Sequence, residues 1–386
     1  MSSRSFLLAG TLALVLLPSQ LPAAALPLIR TDWSASAAEA GWIVAAYQLG
    51  YALAVIAVLP LTDRVRSSRV IAAGALATSL ANVAFAFGAT DVISGSLLRI
   101  LSGFGLAGVY MPGVRLVAQH AAPGRRGFAV GAYVAAFYLG GSLSLFATGL
   151  LLEPFGWRGA ALALALIALV ALPLAIMSTR GLTEMQGTRA HLDIRVLRHG
   201  PLLRTIVAYG GHSWELFVVR AWLAAFLAAA LVDASATASR WAAVLLALGV
   251  VAVFLGGWAS DRFGRARSAF AIALASGAIS LTFGALFDAP WTLVLLVGAV
   301  YGGLIGADSA IYSTAVTELA PAGRIGSAQA IQAVAGFGIG SLGPVVAGAA
   351  LDLGTGWLGP FVVAGAVGIA CALPLLGARS RERHAA

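Results

Sequence analysis

Long apolar stretches alternate with short polar segments along the whole chain. A helix needs about 20 apolar residues to cross the hydrocarbon core of a bilayer, because each residue rises about 1.5 Å. Twelve stretches fit this length, at roughly 5–29, 40–60, 70–89, 92–117, 127–152, 157–177, 204–231, 237–258, 268–286, 290–316, 326–350 and 357–377. The pattern therefore predicts an all-α membrane protein with twelve transmembrane helices.

The composition agrees with a membrane protein and excludes several other classes. Of the 386 residues, 60% are hydrophobic and only 10% are charged, whereas soluble domains carry about 25% charged residues. All 24 basic residues are arginine and none is lysine, so the chain has neither a P-loop lysine for ATP-driven pumping nor a lysine for a Schiff base. With Cys371 as its one cysteine, it can form neither an intramolecular disulfide nor a cysteine metal cluster.

The arginines are distributed unequally between the two sides of the predicted membrane. If the N-terminus is cytoplasmic, eighteen of them lie in cytoplasmic segments. The other six are Arg30, Arg158 and Arg240 in the opposite loops and Arg99, Arg115 and Arg220 inside spans. This bias predicts an integral plasma (inner) membrane protein with both termini in the cytoplasm. It also accounts for the net charge of +9 without a nucleic acid partner.

The two halves of the chain are related by an internal repeat. Segment 124–129 matches segment 323–328 at an offset of 199 residues, and Asp63-Arg64 matches Asp261-Arg262 at an offset of 198. Two separate matches at nearly one offset indicate a duplication. We therefore predict an N-terminal six-helix bundle over 1–177, a cytoplasmic linker over the polar stretch 178–203, and a C-terminal six-helix bundle with a cytoplasmic tail over 204–386.

The loop after the second span of the C-terminal half carries a motif. Residues 257–267 read GWASDRFGRAR. This segment resembles the loop motif of the major facilitator superfamily, which has a glycine, then aspartate and arginine, then a glycine followed by basic residues. The motif residues are Gly257, Asp261, Arg262, Gly264 and Arg265. The resemblance implies that they form a conformational loop on the cytoplasmic face.

Two segments of the N-terminal half extend the resemblance. The first-half loop keeps Asp63 and Arg64 but has leucine and arginine at the two glycine positions, and Arg99 followed by Gly103 is similar to the family's fourth-span pattern. The resemblance implies two pseudo-symmetric six-helix bundles in the major facilitator fold. It also implies a monomeric secondary transporter of a small solute that works by alternating access and is not an enzyme. No cofactor or metal is expected.

Five charged residues fall inside predicted spans, where each costs about 2.5–3.5 kcal/mol near the bilayer centre. They are Arg99 and Arg115 in span four, Glu215 and Arg220 in span seven, and Asp308 in span ten. The resemblance implies that spans one, four, seven and ten line the central cavity, so all five lie on cavity spans. Arg115 is close to the cytoplasmic end of its span, and snorkelling accounts for it.

Glu215 is the first candidate for a proton carrier and Asp308 is the second. A carboxylate in an apolar cavity can gain and lose a proton near neutral pH when a basic neighbour comes and goes. His212 shares a helix face with Glu215 and is a candidate relay, with a purely structural role as its alternative. Asp308 has its own alternative, a structural pair with a cytoplasmic arginine. Glu215 and Arg220 are five residues apart and diverge by about 140°, so each should find its partner elsewhere.

Positively charged and polar residues supply the candidates for a substrate site. Arg220 and Arg99 are candidates for binding an anion or for tuning the carboxylates by charge. Further candidates for the pocket, for which packing is the alternative role, are Gln20, Tyr47, Tyr133, Trp214 and Gln332. The expected partners are a small-molecule substrate, protons and the lipid bilayer.

Three functions remain open at this point. Positive charge in the cavity favours a small anion, either an organic carboxylate or an inorganic oxyanion. The aromatic lining fits a proton-driven exporter of drugs or hydrophobic metabolites. A non-transporting receptor or assembly factor is the third alternative, but it has no need of buried titratable groups on cavity helices.

Overall fold

The structure is a computed structural model that describes residues 3–61, 64–121, 126–182, 192–231, 235–321 and 323–378. Every regular element in these ranges is helical. The α-helices are α1 (Ser3–Leu16), α2 (Leu21–Ala24), α3 (Leu26–Trp33), α4 (Ala37–Leu61), α5 (Ser67–Gly88), α6 (Val92–Gln119), α7 (Arg126–Ala168), α8 (Ala171–Thr179), α9 (Gly200–Leu231), α10 (Ser235–Phe263), α11 (Arg265–Phe283), α12 (Trp291–Ala307), α13 (Ser309–Leu319), α14 (Ile325–Gly340), α15 (Leu342–Asp352) and α16 (Leu358–Ala372). Short 3-10 helices cover Ile194–Arg198, Gly284–Leu286 and Leu373–Ala378.

Ten helical segments of the described chain are long and apolar enough to cross a membrane. The predicted all-α membrane fold is confirmed. Two differences explain why there are ten such segments and not the twelve predicted spans. Predicted spans five and six lie in one segment, Ala129–Thr179, and predicted span one is divided into shorter helices.

Predicted spans five and six are joined without a loop. The chain turns at Gly156, which has φ 63° and ψ 178° inside the helical run of α7, two residues after Pro154. Glycine adopts a positive φ without steric cost because it has no Cβ. Pro154 provides no backbone N–H for the helix ladder. These two residues mark the kink that separates predicted span five from predicted span six.

Prolines divide the first predicted span. Helix α1 ends at Leu16, two residues before Pro18, and α2 and α3 have Pro22 and Pro27 in their first turns. Proline interrupts a helix because it has no N–H and its ring clashes with the preceding turn. It is well tolerated in the first turn, where the N–H groups have no intrahelical acceptor. The first span is therefore discontinuous, and backbone carbonyls near Pro18 need other partners.

Two spans of the C-terminal half are also interrupted. Span ten divides at Asp308, the residue between α12 and α13, and span eleven divides at Ser341, between α14 and α15. An acidic side chain therefore lies at the break in span ten. Discontinuous spans are typical of transporter binding sites because broken helices offer backbone groups to ions and ligands.

The chain forms two compact units. The first contains Met1–Ala35, Ala46–Ala190 and Ala234–Ala243, and the second contains Ser36–Ala45, His191–Asp233 and Val244–Ala386. Two ten-residue segments therefore group with the unit that does not hold their sequence neighbours. Helix α4 belongs to both units, since its first nine residues lie in the second and the rest lie in the first.

The described end of the predicted linker is fastened inside the second unit. The Arg324 Nε lies 3.2 Å from Asp193 Oδ2, and the backbone N–H of Asp193 donates to Ser327 Oγ at 3.1 Å. Val196, in the 3-10 helix that follows, is fully buried against Leu202. Residues 183–191 of the linker lie outside the described residues.

Candidate functional site

A buried imidazole and a buried carboxylate meet in the second unit. His212 of α9 places its Nδ1 2.8 Å from Oδ1 of Asp308, at the break in span ten, and the two side chains are 4% and 3% exposed. The other ring nitrogen, Nε2, lies 2.8 Å from Ser309 Oγ. The rings of Tyr312 and Tyr209 pack within 6 Å of the imidazole. Both nitrogens are thus engaged, which fixes the ring and allows a proton to pass through it.

Glu215 lies one turn further along α9 and is 2% exposed. Its Oε2 accepts a hydrogen bond from Ser276 Oγ of α11 at 3.2 Å and packs against Gly368 of α16. Tyr301 of α12 is a further hydrogen-bonding neighbour, and Asp308 interacts with the carboxylate electrostatically. The structure therefore brings the three predicted proton-coupling residues into one region. Glu215 therefore has a hydrogen-bond donor on another helix, Ser276.

One of the two arginines of span four, Arg99, is buried in the first unit. Arg99 is 1% exposed. Its Nη2 donates to the Ser19 carbonyl, and its Nη1 donates to Asn82 Oδ1 at 3.2 Å and to the Pro18 carbonyl at 3.5 Å. Arg99 therefore holds the carbonyls that the break in span one leaves without helical partners. A rigid fork of donors suits this task, because it contacts several acceptors at once.

The surroundings of Arg99 keep unused hydrogen-bonding capacity. Its guanidinium carbon lies 4.4 Å from the centre of the Tyr47 ring, a cation–π geometry. Four polar atoms here are buried and have no hydrogen-bond partner among the described residues: Arg99 Nε, the Tyr47 hydroxyl, Ser19 Oγ and Gln20 Oε1. The structure thus brings Arg99, Tyr47 and Gln20 to the break in span one. Their free atoms can bind water or a small polar ligand.

The remaining pocket candidates are also buried. Arg220 is 8% exposed and Gln332 is 5% exposed. The Nε2 of Gln332 has no hydrogen-bond partner in the part of the chain that the structure describes. Trp214 donates from Nε1 to the Val363 carbonyl at 3.3 Å, and the Tyr133 hydroxyl donates to the Val109 carbonyl at 3.2 Å. Trp214 and Tyr133 therefore use their polar atoms on backbone carbonyls.

The predicted loop motif of the second unit is an ion-pair network centred on Arg265. This side chain contacts Asp261 and Ser260 at the end of α10 and lies 3.0 Å from Glu318 Oε1 of α13. Gly264 has φ 90°, which allows the turn from α10 into α11. Arg262 lies over the Phe263 ring at 5.7 Å, and the Ser260 hydroxyl donates to the Gly257 carbonyl at 2.8 Å.

The first-half copy of this motif is described only in part. Asp63 lies outside the described residues, and Arg64 is exposed.

Several contributors to these sites were missed by sequence reasoning. Asn82 is the only asparagine in the chain and lies in an apolar span, a signal that identifies it in retrospect. Glu318, near the end of predicted span ten, was also visible as an acidic residue. Ser276 and Tyr301 carry no such signal. No group of three His, Cys, Asp or Glu side chains in the described ranges could hold a metal ion.

Comparison with known proteins decides the family. The family model of the Major Facilitator Superfamily matches residues 8–237 and 217–386. The chain belongs to the major facilitator superfamily. It is 30% identical over 369 residues to the "Probable transporter SCO4007" of Streptomyces coelicolor, a match that covers 90% of this chain and 80% of the relative. This membership makes the protein an integral membrane transporter of small molecules and not an enzyme, as predicted.

The chain is also similar to transporters that are named after their substrates. The "Gallate transporter" of Pseudomonas putida is 25% identical, with 91% of this chain and 85% of the relative covered. The "Probable nitrate/nitrite transporter NarK2" of Mycobacterium tuberculosis is 29% identical, with 83% and 82% covered. The solved structure of the E. coli xylose transporter XylE matches with a TM-score of 0.78 and 17% identity over 96% of this chain and 94% of that one. The major facilitator fold is thereby confirmed.

Proposed function

We propose that this major facilitator transporter couples the movement of a small anion to that of protons. The observation that carries the proposal is the buried His212–Asp308 pair at the break in span ten, with Glu215 one helical turn away. A buried ionised carboxylate is costly unless it is paired or hydrogen-bonded. A buried carboxylate that loses its partner therefore favours the protonated form. Glu215 is the proposed proton carrier, and the pair is the proposed relay.

The arrangement supports a stepwise transfer. His212 contacts Asp308 through Nδ1 and Ser309 through Nε2, so a proton accepted at one nitrogen can be released at the other. Glu215 is influenced by the charge of Asp308, and a change of protonation at one carboxylate therefore alters the other.

The anion preference rests on buried arginines and on the relatives. Arg99 and Arg220 are both buried, and guanidinium groups bind carboxylates and oxyanions through directional pairs. Two of the relatives described above are named after anions, gallate and nitrate/nitrite. An organic carboxylate or inorganic oxyanion is therefore the proposed substrate, moved across the inner membrane by a chain with both termini in the cytoplasm.

Transport by purified protein in proteoliposomes tests the proposal, with nitrate and gallate as probes and an internal pH dye to follow protons. We expect anion flux to carry protons and an imposed pH gradient to drive anion accumulation. Glu215→Gln should abolish that accumulation and retain anion exchange at equal pH, because the amide keeps the shape of the side chain but does not titrate. Asp288→Asn, at an exposed carboxylate, is the matched control.

Two results contradict the proposal in different ways. If Glu215→Gln accumulates the anion as the wild type does and with the same pH profile, Glu215 is not the coupling residue. A second contradicting result is thermal stabilisation by hydrophobic cations and none by nitrate, gallate or other small anions. In that case the substrate is of the class that a drug exporter transports.

A further inference from the structure

The 3-10 helix that precedes α9, at the end of the predicted cytoplasmic linker, has three different faces. Residues three apart in a 3-10 helix lie one above the other, because each turn contains three residues. Ile194 therefore shares a face with Leu197, and Arg195 shares the next face with Arg198. Val196 alone occupies the third face. Apolar, cationic and buried positions are thus separated around one short element.

Val196 fastens this helix to the second unit. It is fully buried in a cluster with side chains from three helices, namely Leu202, Ile206, Val316 and Ala328. The 3-10 helix cannot turn about its axis without exposing this valine to solvent or lipid headgroups. The other two faces are therefore held at fixed positions on the end of the second unit.

Asp193 holds the start of the same helix through both carboxylate oxygens. Its Oδ1 accepts from the backbone N–H of Arg195 at 2.9 Å, and its Oδ2 lies 3.2 Å from Arg324 Nε. The side chains of Arg195 and Arg198 are exposed and form no ion pair within the described ranges. Two positive charges that lie one turn apart, about 6 Å along the helix axis, are therefore open to an external anion.

Ile194 is an apolar side chain that the protein leaves uncovered, and it is 67% exposed. Its depth can be inferred from the helix that follows. The membrane-crossing segment that begins at Gly200 contains 31 residues. At about 1.5 Å per residue it is about 46 Å long, which matches the hydrocarbon core together with both headgroup regions. The 3-10 helix directly before it therefore lies at the level of the lipid headgroups.

We propose that this 3-10 helix is a docking surface for an anionic phospholipid, whose phosphate binds Arg195 and Arg198 while its acyl chain packs on Ile194. Guanidinium groups bind phosphate oxygens through directional, charge-assisted hydrogen bonds. A short interfacial element with separate cationic and apolar faces is suited to an anionic membrane surface. A free anion would use the arginines alone, so the exposed isoleucine favours a lipid. The inference requires a membrane protein but neither proton coupling nor an anionic substrate.

Native mass spectrometry of the delipidated protein in detergent tests the surface. The probe is phosphatidylglycerol, and zwitterionic phosphatidylcholine is the reference lipid. We expect Arg195→Gln/Arg198→Gln to weaken the tightest phosphatidylglycerol binding by about 30-fold, since each basic residue near an anionic lipid contributes about fivefold. Phosphatidylcholine binding should change by less than about twofold, because this lipid has no net charge.

A matched double variant separates this site from a general loss of positive charge. Arg69→Gln/Arg180→Gln removes two exposed arginines of the first unit, from the same predicted cytoplasmic face. It should leave phosphatidylglycerol binding within about twofold of the parent, because charges beyond a Debye length are screened. Equal weakening in the two double variants would overturn the docking surface.

Ile194→Ser separates a lipid from a free anion. If an acyl chain packs on Ile194, this variant should weaken phosphatidylglycerol binding by about three- to tenfold, because apolar contact area is lost. Unchanged phosphatidylglycerol binding in Ile194→Ser would overturn the lipid assignment. Displacement of the lipid by inorganic phosphate at equal concentration would also overturn it and would assign the arginines to a free anion.

The depth of position 194 provides a second measurement that does not depend on affinity. Ile194→Cys is labelled with a nitroxide in a Cys371→Ala background and placed in nanodiscs that contain both lipids. We expect oxygen, which concentrates in lipid, to relax the label more than a water-soluble nickel complex does. Arg195→Gln/Arg198→Gln should lower this ratio. A parent label that is relaxed mainly by nickel lies in water, and one that is shielded from both reagents is covered by protein. Either result would overturn the proposal.

Discussion

The His212 imidazole and the Asp308 carboxylate form a buried contact of 2.8 Å that joins α9 to the break in span ten. Removal of one partner from a buried hydrogen-bonded contact costs about 1–3 kcal/mol, because the other polar group remains buried without a partner. We therefore expect Asp308→Ala to lower the melting temperature of the purified protein more than Ser309→Ala does. The double variant His212→Ala/Asp308→Ala should recover part of the loss. Strictly additive losses in thermal unfolding would show that the two residues do not act as a pair.

Arg220 separates the two substrate alternatives. Guanidinium contacts with an anion are planar and directional, so Arg220→Lys should lose most of the anion affinity although it keeps the charge. If the substrate is neutral or cationic, lysine should replace arginine with little loss, and Arg220→Ala should chiefly shift the pH dependence of transport. Binding and pH profiles of both variants decide between these outcomes. A lysine variant equal to the parent excludes anion recognition by Arg220.

Arg99 is expected to stabilise the break in span one. Arg99→Lys keeps the charge but cannot reach Asn82 Oδ1 and the Ser19 carbonyl with one planar group. Amide hydrogen exchange in peptides that cover 17–25 should therefore become faster by at least about tenfold, the factor that corresponds to about 1.4 kcal/mol. Arg115→Lys is the matched control in the same span. Unchanged exchange in Arg99→Lys would reduce Arg99 to a charge without a positioning role.

Arg265 should govern opening toward the cytoplasm. Because it contacts both Asp261 and Glu318, we expect Arg265→Ala to have a larger effect than Asp261→Ala. The measurement is the labelling rate of a cysteine at the buried Gln332 in a Cys371→Ala background, which should rise severalfold. Arg262→Ala, whose side chain lies over an exposed ring, is the control. Equal labelling in all variants would leave the motif as a marker of topology only.

Asp91 should give the start of α6 a pH-dependent stability. Its carboxylate accepts from the Ser94 N–H at 2.8 Å, and this bond lowers the pKa of Asp91 below its ordinary value of 3.8. The cap therefore contributes fully above the unfolded-state pKa and is lost as the pH falls through the folded-state pKa. Asp91→Ala should lower the melting temperature at pH 7, and the difference should shrink in acid. A constant difference at all pH values would contradict this assignment.

The sequence predicted features that depend on local spacing. The apolar stretches located the helices, and the three-residue separation of His212 and Glu215 placed both on one face of α9. The glycine of the motif, Gly264, was recognisable from the resemblance, and its positive φ supplies the physical reason. The interruption at Pro18 is also a local effect of the missing N–H, although the apolar pattern alone reads as one continuous span.

Contacts between distant segments were not accessible in this way. Glu215 meets Ser276 across 61 residues, and a serine in an apolar span gives no sign of such a partner. Arg99 was a candidate for binding an anion or for tuning the carboxylates, and its contacts to Pro18, Ser19 and Asn82 were not predicted. The neighbours of a buried side chain are determined by how the helices pack. The periodicity of the sequence indicates which face of a helix is buried but not which residue it contacts.

The contact between Arg99 and the broken first span has a consequence for biosynthesis. The Ser19 carbonyl is made 80 residues before the arginine that donates to it, an interval of about 4–16 s at ordinary translation rates of about 5–20 residues per second. During that interval the nascent first span enters the translocon with open carbonyls at its break. Span four contains Arg99, which donates to these carbonyls. Lateral release of span one into lipid should therefore wait for span four, and the N-terminal helices should leave the translocon together.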